Sequence, residues 1–117
     1  MLRRTLLLGL MMFPHVAVAD GWNTRPDDQL LSRTDLERQL VGQTLTFFDD
    51  AQSVYSENGE YSYTYGGGGT WLGHYELQDD STVCVTFVTG VSRCDMIVEA
   101  SNRLVVITED GLRFPIR

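Results

Sequence analysis

The chain of 117 residues contains no lysine: all nine basic side chains are arginines, set against sixteen carboxylates. The resulting net charge of −7 excludes the basic footprint that nucleic acid requires of its partners. Histidine is scarce, with His15 and His74 alone, and there are two cysteines, Cys84 and Cys94. Two thiols and two histidines fall short of a zinc site, because His15 lies in the leader discussed below and four ligands are needed. A spacing of ten residues is also too wide for a redox pair, whose thiols sit two residues apart. No apolar run reaches the roughly 20 residues of a membrane span, since the longest, residues 5–18, is short and interrupted by Pro14. Internal repeats are missing as well. What is there suffices for a core: 43% hydrophobic and 10% aromatic residues exclude disorder and suit one domain.

The first nineteen residues read as a secretory signal. Arg3 and Arg4 supply the basic start, residues 5–18 the apolar stretch, and Ala17-Val18-Ala19 the small-residue site, so cleavage is expected between Ala19 and Asp20. Removal leaves 98 residues with sixteen acids against seven arginines, a net charge of −9, and anionic membrane surfaces recede as partners. The expected location is periplasmic or secreted, with no membrane insertion after cleavage. In such an oxidising compartment Cys84 and Cys94 are most simply a disulfide.

After the leader, residues 20–31 carry Pro26, Asp27 and Asp28 without periodicity and are expected to be loosely ordered. Residues 32–117 form a single domain. Ser32, Asp35 and Glu37 mark a helix start, Leu36 and Leu40 share a face, and Gly42 stands at the stop, which predicts a helix over 33–41. From Thr44 onward, turn signals recur at Asn58-Gly59, Gly66 to Gly69, Asp79-Asp80, Thr89-Gly90, Ser101-Asn102 and Asp110-Gly111. The fold class is therefore mainly β: one short N-terminal helix, then an antiparallel meander of about 7–8 short strands that forms a small barrel or a sandwich.

Opposed residues share a face, so each hairpin tests the pattern. A two-residue turn at Asp110-Gly111 pairs Ile107 with Phe114 and Val105 with Ile116. One at Asn58-Gly59 places Tyr61, Tyr63 and Tyr65 with Val54 and sets Glu57 against Glu60, which turns the tyrosines inward. Trp71, Tyr75 and Leu77 make the core face of the next strand, leaving His74 and Glu76 outside. The cysteine hairpin is ambiguous. Direct pairing of Cys84 with Cys94 implies a three-residue loop, Val88-Thr89-Gly90, and puts Arg93 and Asp95 on the face of Val83, Val85 and Phe87. A two-residue turn repairs the pattern but separates the cysteines. A bulge near Ser92, or burial of both faces, reconciles the two.

In order, the features are a leader helix running into Leu40-Val41-Gly42-Gln43-Thr44, a tyrosine with Asn58-Gly59, Gly69-Thr70-Trp71, and two later cysteines. From about Thr34 to Cys94 the chain resembles small exported bacterial domains of unknown function that share these motifs, and the resemblance implies a β-meander without an activity. A weaker resemblance is to the secreted inhibitors of bacterial metalloproteases, small periplasmic β-barrels with one disulfide whose N-terminal segment enters the protease cleft. The order of cysteines departs from theirs.

Catalytic chemistry has little to work with. Nucleophiles need a base, and His74, the one histidine outside the leader, is read as a solvated surface residue. Asp49-Asp50 and Asp79-Asp80 are turn residues, no alternating acidic loop marks a calcium site, and no lysine follows Gly66 to Gly69 as a phosphate loop requires. That glycine run reads as a flexible hairpin connection. No cofactor, metal or catalytic residue is expected. The aromatic cluster of Tyr61, Tyr63, Tyr65, Trp71 and Tyr75 is the candidate ligand surface, with a core role for most of it. The sequence thus reads as a monomeric, exported, non-enzymatic binding or protein-interaction module whose partner is an envelope protein or small ligand. The alternatives are a lipocalin-like carrier with a cavity lined by Trp71, Tyr63 and Phe114, and a protease inhibitor with residues 20–31 projecting.

Overall fold

The computed structural model describes residues 21–117. The expected leader 1–19 and its cleavage point lie outside the described residues. The elements in chain order are β1 (Gln29–Leu30), α1 (Arg33–Leu40), β2 (Gln43–Thr46), β3 (Gln52–Tyr55), β4 (Glu60–Thr64), β5 (Thr70–Leu77), β6 (Thr82–Phe87), β7 (Ser92–Ala100), β8 (Arg103–Ile107) and β9 (Arg113–Pro115). β2 to β9 form an antiparallel meander in sequence order, curled into a half-barrel. Its first and last strands meet through the Phe47–Ile116 bridge and a hydrogen bond from the Arg117 N–H to the Thr46 carbonyl. Of the two expected architectures, the barrel-like one is realised.

The helix forms where its signals stand. The Ser32 hydroxyl accepts from the Asp35 N–H at 3.1 Å, and Asp35 pairs with Arg38 one turn on. Val41 is already extended, and Gly42 takes the positive φ of 77° that a helix stop demands. Eight residues are too few for an isolated helix in water. The helix persists because Leu36 and Leu40, four apart on one face, are fully buried in the main core with Leu45, Leu77 and Ile97. It thereby plugs one end of the half-barrel.

One loop type accounts for the corrections to hairpin pairing. Ser56 N–H bonds Glu60 carbonyl and Thr108 N–H bonds Leu112 carbonyl, so the loops hold three residues and not the two expected from Asn58-Gly59 and Asp110-Gly111. Glu57 and Glu109 are the additional members. The third position is left-handed, with φ 92° at Gly59 and 93° at Gly111, the geometry of a type I turn closed by a bulge. Pairing shifts accordingly. Tyr61 faces Tyr55 and Val54 faces Ser62, while Ile107 faces Arg113 and Val106 faces Phe114. The tyrosines of β4 still point inward.

Cys84 pairs directly with Cys94 and the two are bridged, with Val88-Thr89-Gly90 as the loop and no bulge at Ser92. Burial of both faces is the resolution. Ile97 belongs to the inner core, whereas Met96, Val98, Val105 and Ile107 make a second cluster on the convex side, covered by Trp22. A bridge closing so short a loop contributes roughly 2 to 3 kcal/mol in the chain-entropy account.

Residues 21–31 depart from the loose order expected of them. Gln29 and Leu30 pair with Glu99 and Val98 of β7, beyond the last residue of β7 that β6 reaches, Met96. Leu31 is buried and donates its N–H to the Ser81 hydroxyl. Arg113 clamps Asp28 with two hydrogen bonds of 2.8 and 2.9 Å and donates to the Asn23 carbonyl. The segment lies along the sheet and does not project as an inhibitory arm would.

Gly73 lets the sheet curl. It faces inward opposite Tyr61 and Phe87, and a Cβ there would stand 2.3 Å from the Thr86 carbonyl oxygen, an approach that only glycine tolerates.

Candidate functional site

Alternation along the strands decides what lines the concave side. Tyr61 and Tyr63 on β4, Trp71 and Tyr75 on β5, Val85 and Phe87 on β6, and Arg93 and Asp95 on β7 all turn inward, as their cross-strand partners require. At the end opposite α1 the half-barrel stays open, and a pocket of about 290 Å³ lies there. Its wall is aromatic, formed by Phe47, Tyr63, Tyr65 and Phe114; its charged lining is Asp49, Arg93, Asp95 and Asp110. The rings touch in sequence, edge to face: Tyr65 with Tyr63 at 5.2 Å, Tyr63 with Phe47 at 6.3 Å and Phe47 with Phe114 at 6.4 Å.

Arg93 and Asp95, which disturb the apolar pattern of β7, occupy the base of this opening. The guanidinium lies 5.6 Å from the Tyr63 ring centre and 5.7 Å from that of Phe87, and its Nε is 3.2 Å from Asp95 Oδ2. Burial pushes the Asp95 carboxyl above the usual range, against the pull of Arg93. Burial opposes the Arg93 charge, but Asp95 and the neighbouring tyrosines outweigh it and raise its pKa. Below them Tyr55 is fully buried and, by desolvation, holds its phenolic proton well above the ordinary range.

The five aromatics of the expected cluster separate into roles. Tyr63 lines the pocket and Tyr65 stands at its rim. Tyr61 belongs to the core, its hydroxyl 2.9 Å from that of Ser53. Tyr75 is half-buried, edge-on to Tyr55, and donates to the Ser56 carbonyl at 2.7 Å. Trp71 packs edge-on to Phe87 at 5.5 Å and does not line the pocket. Of the three residues expected in a carrier's cavity, Tyr63 and Phe114 are therefore present and Trp71 is not. Phe47, Arg93, Asp95, Asp49 and Asp110 also line the site; the direct cysteine pairing hinted at Arg93 and Asp95 by sending them inward, and the other three gave no signal. His74 is exposed on the outer face, remote from this lining.

The open end is also where the apolar surface gathers. Four loops surround it, at residues 48–50, 66–68, 88–90 and 109–111. Phe48 lies in the first, Tyr65, Trp71 and Leu72 flank the second, Val88 and Val91 mark the third, and Leu112 and Phe114 follow the fourth; all are exposed. Leu30 is the one other large exposed apolar side chain among the described residues. In the glycine loop Gly66 is pressed against its neighbour, where a Cβ would stand 2.1 Å from the Asp49 carbonyl oxygen, while Gly67 and Gly68 stand in open space.

Fold and site together define a disulfide-bridged half-barrel, plugged at one end and open at the other through an aromatic mouth. Among the described residues no helix is long and apolar enough to cross a membrane. No family model, curated protein or solved structure matches the chain.

Proposed function

We propose that the protein is an exported, non-enzymatic domain of the periplasm or the secreted fraction that docks another envelope protein through the open end of its half-barrel. The concentration of exposed apolar side chains around that end carries the reading. Eight of the nine large exposed apolar residues among those described lie on or beside the four loops of that end, a concentration of the kind that marks an interaction site, whereas at the far end α1 has buried its leucines. The surplus of acids works against adsorption to anionic lipid, which leaves a protein as the partner. The signal-like leader and the Cys84–Cys94 bridge support an oxidising compartment.

A small-ligand carrier is the second reading, favoured by the pocket itself. Its volume of about 290 Å³ stands just under the ~300–1,000 Å³ of sites that enclose whole drug-sized ligands, which suits one side chain better than a carried molecule.

The rim reading has a direct check. A photo-crosslinking residue placed at Val88 is expected to capture a recurrent second protein in the native envelope, identified by mass spectrometry, while the same residue at Glu76 on the outer face of β5 captures none. Recovery of the protein alone, or equal capture from both positions, would overturn it.

A further inference from the structure

We infer that the pocket inside the rim receives one organic cation, the guanidinium or ammonium of a basic side chain that the partner presents between apolar neighbours; the inference rests on the interaction reading above. Charge complementarity is the first argument. Three carboxylates, Asp49, Asp95 and Asp110, line the pocket against a single cation, Arg93. That cation is already held, because its Nε faces Asp95 and its guanidinium covers two rings. The lining therefore carries an uncompensated negative charge on a contiguous aromatic wall, the two components that recognise an organic cation.

The domain supplies its own precedent. Arg93 shows that ring faces and a nine-tenths-buried carboxylate in this mouth hold a guanidinium, and the rings of Phe47, Tyr65 and Phe114 with Asp49 and Asp110 repeat the same chemistry beside it. A metal ion is a poor alternative occupant. Among the described residues no three carboxylate, histidine or cysteine side chains converge as an inorganic cation requires. The volume admits a single side chain, and the flanking Phe48 and Leu112, both exposed, would contact the apolar residues on either side of it.

Three small probes of similar size test the inference on the isolated protein: n-butylguanidinium, n-pentanol and pentanoate, followed by NMR. The guanidinium is expected to shift the Tyr63, Tyr65 and Phe114 ring signals and to bind about tenfold more tightly than the alcohol at low salt, with pentanoate weakest. Added salt should narrow that preference. Asp110→Asn, in an exposed loop where folding is not at stake, should reduce the guanidinium affinity severalfold and leave the alcohol unchanged. Stronger binding of pentanoate, equal affinities for all three, or no ring shifts would overturn the inference. The two readings fail separately. Crosslinks from Val88 without a cation preference would leave the docking rim and remove the cation pocket, whereas a cation preference without crosslinks would do the reverse.

Discussion

Replacing Asp28 with alanine is expected to lower the unfolding free energy by about 1.5–3 kcal/mol, the worth of charge-assisted hydrogen bonds lost from a part-buried ion pair. The Asp28 and Arg113 side chains are 2% and 9% exposed in residues that are only partly buried, so solvent replaces the lost contacts in part. Such a loss is a large part of the roughly 5–15 kcal/mol that holds a domain together. The effect carries a pH signature. Hydrogen bonding from Arg113 holds the Asp28 carboxyl below its ordinary value of 3.8. The contribution is therefore complete above the ordinary value, and it is lost as the pH falls through the lowered one. Urea titrations of Asp28→Ala and the parent should differ widely at neutral pH and converge in strong acid, with exposed Asp27→Ala unchanged throughout. An unshifted midpoint at neutral pH would mean that the N-terminal segment contributes nothing to stability.

Leu36→Ala is the second large effect, expected at about 2–5 kcal/mol. Leu36 is completely buried in the only helix among the described residues, and removing its side chain hollows out the plug at the closed end. The same substitution at the exposed Glu37 should stay within about 0.5 kcal/mol. Because the plug and the mouth lie at opposite ends, folded Leu36→Ala should retain the parent's response to n-butylguanidinium. A loss of both stability and probe binding would show that the two ends are coupled.

These two residues also measure how far the sequence could be read. Leu36 was visible: a cap at Ser32, a leucine pair four apart and a glycine stop are local signals, and local signals are what a sequence displays. Asp28 was not. Its partner stands 85 residues away, and β1 is two residues long, too short for any alternation to register.

The hairpins fall between these cases. Asn58-Gly59 and Asp110-Gly111 announced turns, yet the pairing they suggested was one residue out, because nothing in the composition tells whether Glu57 or Glu109 belongs to the strand or to the loop. The cysteines were a better ruler. A covalent bridge between facing positions fixes the count around Val88-Thr89-Gly90, and that count alone turned Arg93 and Asp95 inward. Those two residues had looked like a flaw in a core strand. They looked so because alternation assumes that an inner face is dry, and this one opens to water at the mouth. The tyrosines of β4 were correctly turned inward, but the position along the barrel that separates Tyr61 in the core from Tyr65 at the rim depends on where neighbouring strands end.

The placement of β1 has a temporal consequence. From β2 to β9 every strand meets the one made just before it, so the meander can assemble by successive short-range closures. β1 meets β7 across about seventy residues, and Asp28 meets Arg113 later still, the kind of distant contact that forms slowly. The first of the described residues must therefore wait for the last. In refolding, Trp22, which covers the convex cluster, is expected to change its fluorescence after the β-sheet signal has developed; simultaneous changes would contradict that order. A chain still emerging from the ribosome would hold this first segment unpaired until the final hairpin had cleared.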